Sequence, residues 1–228
     1  VIAALDTAGA RASFALANSA GEPVAVDHEI ALGRRSAGLL DRVLAILGDG
    51  GHELDDVTQW SIGMGPGSFT GIRVGAAMVK GICQGTGAAY RGLPSSLGMV
   101  IAAGGGDGEQ VLALSDGRRG QVLVSPYRWR DGAAFPDGEA SVMELPALAD
   151  SAATQLVVLA TDPVAEAIPD IVGDRACILP NADATQLLAP LNWGWPDAID
   201  REASTDPIYV RPPVFVPPTP ARIQVATC

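Results

Sequence analysis

Hydrophobic and polar positions divide the chain into short apolar runs separated by glycine-rich turns. Val1 to Leu5, Ala12 to Ala17 and Pro23 to Ile30 read as the three strands of a β-meander, with Asn18 to Glu22 as the second turn. From Ser36, a natural N-cap, Leu39, Leu40, Val43, Leu44 and Leu47 recur at helical spacing up to Gly48. Ile46 makes that stripe wider than one sheet contact requires. A strand from Val57 to Ile62 then leads into Gly63-Met64-Gly65-Pro66-Gly67-Ser68-Phe69-Thr70-Gly71-Ile72-Arg73-Val74-Gly75, which opens a second helix running to about Gln84. Phe69, Ile72, Val74, Met78, Val79, Ile82 and Cys83 surround this helix, so it is expected to be buried on more than one side. Gly71 and Gly75 leave it a smooth face for a close neighbour, each at a cost of about 1 kcal/mol relative to alanine.

Ala88 to Leu93 reads as a strand and Pro94-Ser95 to Ala103 as a helix, followed by the linker Gly104 to Gly108. The boundary between two lobes, residues 1–103 and 104–228, is placed there. Gln110 to Leu114 and Gln121 to Tyr127 flank Asp116-Gly117-Arg118-Arg119-Gly120 as a hairpin. Glu139 to Met143, Leu156 to Ala160 and Ala176 to Leu179 are expected strands. Ala147 to Ala153, Val164 to Ile168 and Asp183 to Leu191 are expected helices. No internal repeat is visible, and the tail from Ser204, with six prolines, is expected to be extended or disordered.

At 228 residues, 48% hydrophobic and 18% charged, the chain has ample material for a core. Its formal net charge of −11 repels phosphate backbones, so direct nucleic-acid binding is not expected and any role with RNA falls to a partner. The start of the chain lacks a basic stretch ahead of its apolar run, and no apolar run reaches spanning length. The expected location is therefore cytoplasmic, away from the membrane.

Catalytic chemistry is hard to assemble. His28 and His52 have no partners at ligand spacing, so no metal site is expected. The three cysteines follow no CxxC pattern, and Ser68 does not sit in a Gly-x-Ser-x-Gly elbow. No catalytic residue is assigned. The glycine-rich stretch fits neither the P-loop nor the Gly-x-Gly-x-x-Gly fingerprint. It can still be read as an anion cradle, in which Gly65, Gly67 and the helix N-terminus at Ser68 meet a phosphate, Arg73 adds charge, and Asp6 and Thr7 hold a metal-bound nucleotide. The other reading is a structural turn whose glycines permit close packing, with Asp6-Thr7-Ala8-Gly9 an ordinary Asx turn.

Gly-Pro-Gly-Ser-Phe-Thr-Gly-Ile-Arg-Val-Gly, residues 65–75, resembles the signature of the TsaB (YeaZ) family. Leu5-Asp6-Thr7, the hairpin Asp116 to Leu123 and Pro207-Ile208-Tyr209-Val210-Arg211 match further family stretches in order and spacing. Arg35-Ser36, Gly117 and Gln121 depart from the usual family residues. The resemblance implies a two-lobed α/β fold with mixed sheets, actin-like (ASKHA) and ribonuclease-H-like. It also implies a non-catalytic subunit in threonylcarbamoylation of tRNA adenosine beside the anticodon. Such a subunit binds a TsaD-like catalytic partner and a TsaE-like ATPase, meets tRNA only through the complex, and allows ATP or ADP only at the partner interface. The histidine pair of TsaD proteins corresponds here to Ser95 and Met99.

From these residues the expected partner surface comprises Ser36, Leu39, Leu40, Val43 and Leu47 of the first helix with Phe69, Ile72, Gly75, Ala76 and Val79 of the second. The same surface would allow a two-fold homodimer in isolation. The alternative function is an actin-like ATPase or kinase using Asp6 and the Gly65 to Gly71 loop.

Overall fold

The computed structural model describes residues 1–9, 11–30, 38–180, 184–188 and 206–210. The expected meander forms β1 (Ile2–Asp6), β2 (Ala12–Ala17) and β3 (Pro23–Ile30), followed by α1 (Gly38–Asp49), β4 (Gln59–Gly63), α2 (Phe69–Thr86) and β5 (Ala89–Leu93). β1 pairs antiparallel with β2 and parallel with β4, giving the order β3-β2-β1-β4-β5. The Val57 to Ile62 run starts its strand two residues late, at Gln59, because Leu54–Asp56 closes a 3₁₀ turn just before it.

After α3 (Ser95–Ala103), the chain builds a second sheet from β6 (Gln110–Arg118), β7 (Gln121–Arg130), β8 (Ala133–Pro136), β9 (Ser141–Glu144), β10 (Gln155–Leu159) and β11 (Ala176–Leu179), with α4 (Ile168–Val172) between the last two. Its order from the opposite edge is β8-β7-β6-β10-β11. β6 pairs antiparallel with β7 and parallel with β10, and β7 pairs antiparallel with β8. This is the β3-β2-β1-β4-β5 pattern again. The repeat that the sequence conceals is therefore a repeat of topology. In the second copy, a 3₁₀ turn (Leu145–Asp150) stands where the first has α1.

Several elements differ from expectation for local reasons. The helix expected at Ala147 to Ala153 is that 3₁₀ turn, entered through Pro146. The helix expected at Val164 to Ile168 begins only at Ile168, with Pro169 in its first turn. β8 was not foreseen, since four residues between a glycine turn and a proline carry no period. Of Asp183 to Leu191, a 3₁₀ turn at Ala184–Leu187 is described.

α1 and α2 cover one face of the first sheet. Leu39, Val43, Ile46 and Leu47 meet Ile72, Ala76, Val79 and Cys83 over Leu5, Phe14, Trp60 and Ile62. The opposite face is closed by Ala184, Leu187 and Leu188 against Ile2, Ala4, Ala15 and Ala17. α3 lies before the boundary placed at Gly104, yet it packs on the second sheet: Leu97, Met99 and Val100 join Val111, Ala113, Tyr127, Trp129 and Val157. Each lobe thus receives an element from beyond the Gly104 linker. No described helix is long and apolar enough to cross a membrane.

Candidate functional site

Strand β1 ends at the glycine-rich stretch, and the two are stitched together. Asp6 Oδ1 accepts from the Ala8 N–H at 2.8 Å, an Asx turn. Thr7, fully buried, donates from Oγ1 to Gly71 O at 2.8 Å. The Ser68 N–H donates to Ala8 O at 2.7 Å. The glycines at 63, 67, 71 and 75 follow a spacing of four because each faces this turn. A Cβ at Gly63 would strike the Asp6 carboxylate, at Gly67 the Ala8 carbonyl, at Gly71 the Thr7 carbonyl and at Gly75 the Thr7 hydroxyl. Close approach of the turn's backbone and side chains explains the four glycines without a ligand.

Three of the N–H groups around the expected anion cradle, those of Gly65, Ser68 and Gly71, are used internally. Gly65 N–H donates to Ser95 Oγ at 3.0 Å, and Gly65 O accepts from Ser95 N–H at 2.7 Å. Ser68 caps α2 as expected, accepting from Gly71 N–H at 3.1 Å. Burial pushes the Asp6 carboxyl up from its ordinary value, against hydrogen bonds from Ala8 N–H and the Ser95 hydroxyl. Arg73 lies outside this junction. Its guanidinium sits 3.7 Å above the Phe69 ring and donates from Nε to Tyr209 Oη at 2.8 Å. Arg73 and the Asp6-Thr7 turn, expected to meet one phosphate, are thus held in separate settings.

Tyr209 belongs to the proline-rich tail, and residues 206–210 return to the motif. Ile208 N–H donates to Met64 O at 2.8 Å, and the Tyr209 ring lies 5.0 Å from that of Phe69. An aromatic residue inside a proline-rich segment was the one sequence signal for this docking.

The partner-surface expectation needs correction. Leu39, Val43, Leu47, Ile72, Gly75, Ala76 and Val79 are buried in the chain's own core, and the smooth face at Gly71 and Gly75 is taken by Thr7. Ser36 lies outside the described residues. Leu40 and Phe69 remain exposed, at 37% and 40%, and Leu44, one turn after Leu40, joins them at 41%. The helical stripe was wide enough to flag Leu44, but it could not separate the core side of α1 from its outer side. Among the described residues, no group of acidic, histidine or cysteine side chains is arranged to hold a metal ion.

Two mixed sheets of repeated 3-2-1-4-5 order, with helices between the parallel strands, define the actin-like (ASKHA) class of α/β fold. The family model described as TsaD, tRNA N6-adenosine threonylcarbamoyltransferase, matches residues 29–136. The chain is 33% identical over 139 residues, 60% of its length, to the tRNA threonylcarbamoyladenosine biosynthesis protein TsaB of Escherichia coli. It is 33% identical over 123 residues, 54% of its length, to the Haemophilus influenzae protein of the same name. These matches span 59% and 51% of the two relatives' lengths. The solved structure of YeaZ from Pseudomonas aeruginosa superposes with a TM-score of 0.70 at 23% identity, covering 91% of this chain and 98% of that one. Over the matched residues the chain is similar in sequence to TsaB proteins, and its fold is that of YeaZ.

Proposed function

We propose that the chain is a non-catalytic subunit in the biosynthesis of threonylcarbamoyladenosine in tRNA. In this reading it binds a TsaD-like catalytic subunit through the outer face of α1 and the start of α2, a TsaE-like ATPase joins the pair, and tRNA is met only through the complex. The observation that carries the reading is the apolar surface left after the core is built. Leu40 and Leu44, one helical turn apart, and Phe69 stay exposed although their helices already bury a full face. The relatives named for this pathway support the process. The acidic composition supports leaving the tRNA to a partner. Ser95, at a ligand position of TsaD proteins, is engaged with Gly65 and Asp6, which supports a subunit without that metal chemistry. ATP or ADP would then belong to the partner interface.

Calorimetric titration of Leu40→Glu/Leu44→Glu against a TsaD-like subunit, with and without ATP, tests this. Both positions are solvent-facing, so the variant should stay folded while affinity falls about thirtyfold or more, as for a pair of interface anchors. Unchanged affinity in a folded variant would reject the surface. No observation favours the ATPase alternative, since Asp6, Thr7 and Gly65 are engaged within the chain.

A further inference from the structure

Arg73 is the exposed cation of the glycine-rich motif, one turn into α2, and its surroundings hold it without neutralising it. The guanidinium lies 3.7 Å from the centroid of the Phe69 ring and 5.6 Å from that of Tyr209, and Nε donates to Tyr209 Oη at 2.8 Å. The two rings also touch each other, with centroids 5.0 Å apart and planes inclined at 33°. Ile208 N–H, donating to Met64 O, brings Tyr209 to this place, while Phe69 opens α2 behind the Ser68 cap. The cation is thus gripped by residues 136 positions apart in sequence.

The grip uses only part of what a guanidinium offers. The group carries its N–H donors in a planar fork, and contact with a ring face leaves the edge of that fork able to donate. Beyond the bond from Nε, Arg73 makes no hydrogen bond among the described residues, and no carboxylate among them lies within ion-pair distance of it. Arg42 and Arg128, by contrast, meet Asp27 at 2.6 Å and Asp137 at 2.7 Å. With 26 Asp and Glu against 15 Lys and Arg, the chain has carboxylates to spare, yet none is placed here. The fork matches a carboxylate or a phosphate. A net charge of −11 repels a polyanion, whereas a single carboxylate on a protein surface brings one negative charge to the cation and its apolar flank to the rings. Phe69 and Tyr209, 40% and 38% exposed, supply the surface for that flank. Arginine and tyrosine dominate the energetics of many protein interfaces, and a side chain held before contact loses less entropy on binding.

We infer that Arg73 receives an Asp or Glu carboxylate of the TsaD-like subunit, flanked by Phe69 and by Tyr209 of the docked tail. Such a contact rests on the partner reading of Leu40, Leu44 and Phe69 and gives it a polar anchor. The test is calorimetric titration of the full chain against a TsaD-like subunit at low and high salt, with and without ATP. Arg73→Met keeps an unbranched apolar stem beside the rings and removes the charge. Its affinity should fall about tenfold to a hundredfold, the range of a charge-assisted hydrogen bond, and should depend less on salt than that of the wild type. Arg73→Lys retains the charge without the fork, so it should lose about threefold to tenfold and keep the salt dependence. Arg119→Met removes the same formal charge from the exposed hairpin of the second sheet and should stay within about twofold of wild type. A wild type that binds and is weakened by Leu40→Glu/Leu44→Glu but not by Arg73→Met would overturn the carboxylate contact and leave the partner reading standing. Equal losses in Arg73→Met and Arg119→Met, or a loss with unchanged salt dependence, would overturn it too, the first as general charge attraction and the second as release of the tail. A loss seen only with ATP would assign the guanidinium to a phosphate instead. Absence of wild-type binding would overturn both readings together.

Discussion

Gly75→Ala probes the junction between the Asp6-Thr7-Ala8 turn and α2 most directly. In an unobstructed helix interior the change is favourable by about 1 kcal/mol, because alanine loses less backbone entropy. At Gly75 the new methyl would collide with Thr7 Oγ1 and crowd Thr7 Cγ2 at 3.1 Å and Cβ at 3.3 Å. Thr7 is fully buried and its hydroxyl donates to Gly71 O, so it cannot move without breaking that bond. Overpacking costs about 1–3 kcal/mol and a broken buried hydrogen bond about 1–3 more, so the net loss is about 3 kcal/mol. For a chain of this size that lowers Tm by roughly 6–12 °C. Gly81 and Gly85 lie on the same helix, with nothing among the described residues within 4 Å of an added Cβ. There the same substitution should stabilise by up to about 1 kcal/mol. Urea titration of the three variants reads the contrast, and Thr7→Ala added to Gly75→Ala should recover part of the loss through a coupling energy of about 1 kcal/mol or more. Equal stability of Gly75→Ala and Gly81→Ala would refute the argument that these glycines serve close packing.

Three further outcomes follow from other groups. Asp6 has a folded pKa raised by burial above its ordinary 3.8, so folding retains a proton that the unfolded chain loses. The stability this group contributes is complete below the unfolded value and disappears as pH rises through the folded one. Denaturant titrations across that window should show the wild type losing ground to Asp6→Asn with rising pH, and parallel curves would contradict the raised pKa. Burial pushes the Cys83 thiol up to about 11, so at neutral pH it should react with a disulfide reagent far more slowly than in urea; matching rates would place it at the surface. Removing the Arg73 guanidinium deletes one hydrogen bond and one ring contact from the docked tail. Arg73→Ala should therefore speed hydrogen exchange at the Ile208 amide severalfold, whereas unchanged exchange would show the tail held by Met64 alone.

What the sequence made legible follows the range of the forces involved. β1 to β3, α2 and its Ser68 cap arise from contacts within a few residues, and their boundaries fall within about two residues of expectation. α1 showed its period but not its orientation: Leu39 and Leu40 carry equal hydrophobicity, and only the sheet beneath decides which one faces inward. The packing of α3 on the second sheet and the return of Tyr209 to Phe69 join distant segments, for which local pattern holds no information. The topological repeat was hidden for a similar reason. β8 and β9 together edge β7 where β3 alone edges β2, so the two copies share no common spacing.

The glycine-rich stretch shows how one composition serves opposite physical ends. A loop of glycines before a helix exposes N–H groups, and a phosphate satisfies them only if nothing in the chain arrives first. Here Ser95 Oγ takes the Gly65 N–H, Ala8 O takes that of Ser68 and Ser68 Oγ takes that of Gly71. The spacing of four distinguishes the two cases. A cradle wraps its glycines around a point, whereas Gly67, Gly71 and Gly75 run along the line of approach between one turn and one helix face, with Gly63 ahead of them at the Asp6 carboxylate. That rigid junction fixes the N-terminal turn of α2, and with it the direction in which Phe69 and Arg73 leave the molecule. An interface helix needs its exposed residues held in place before a partner arrives, because ordering them on binding subtracts from affinity. Under the proposed function, the motif is the rigid mount of the binding surface.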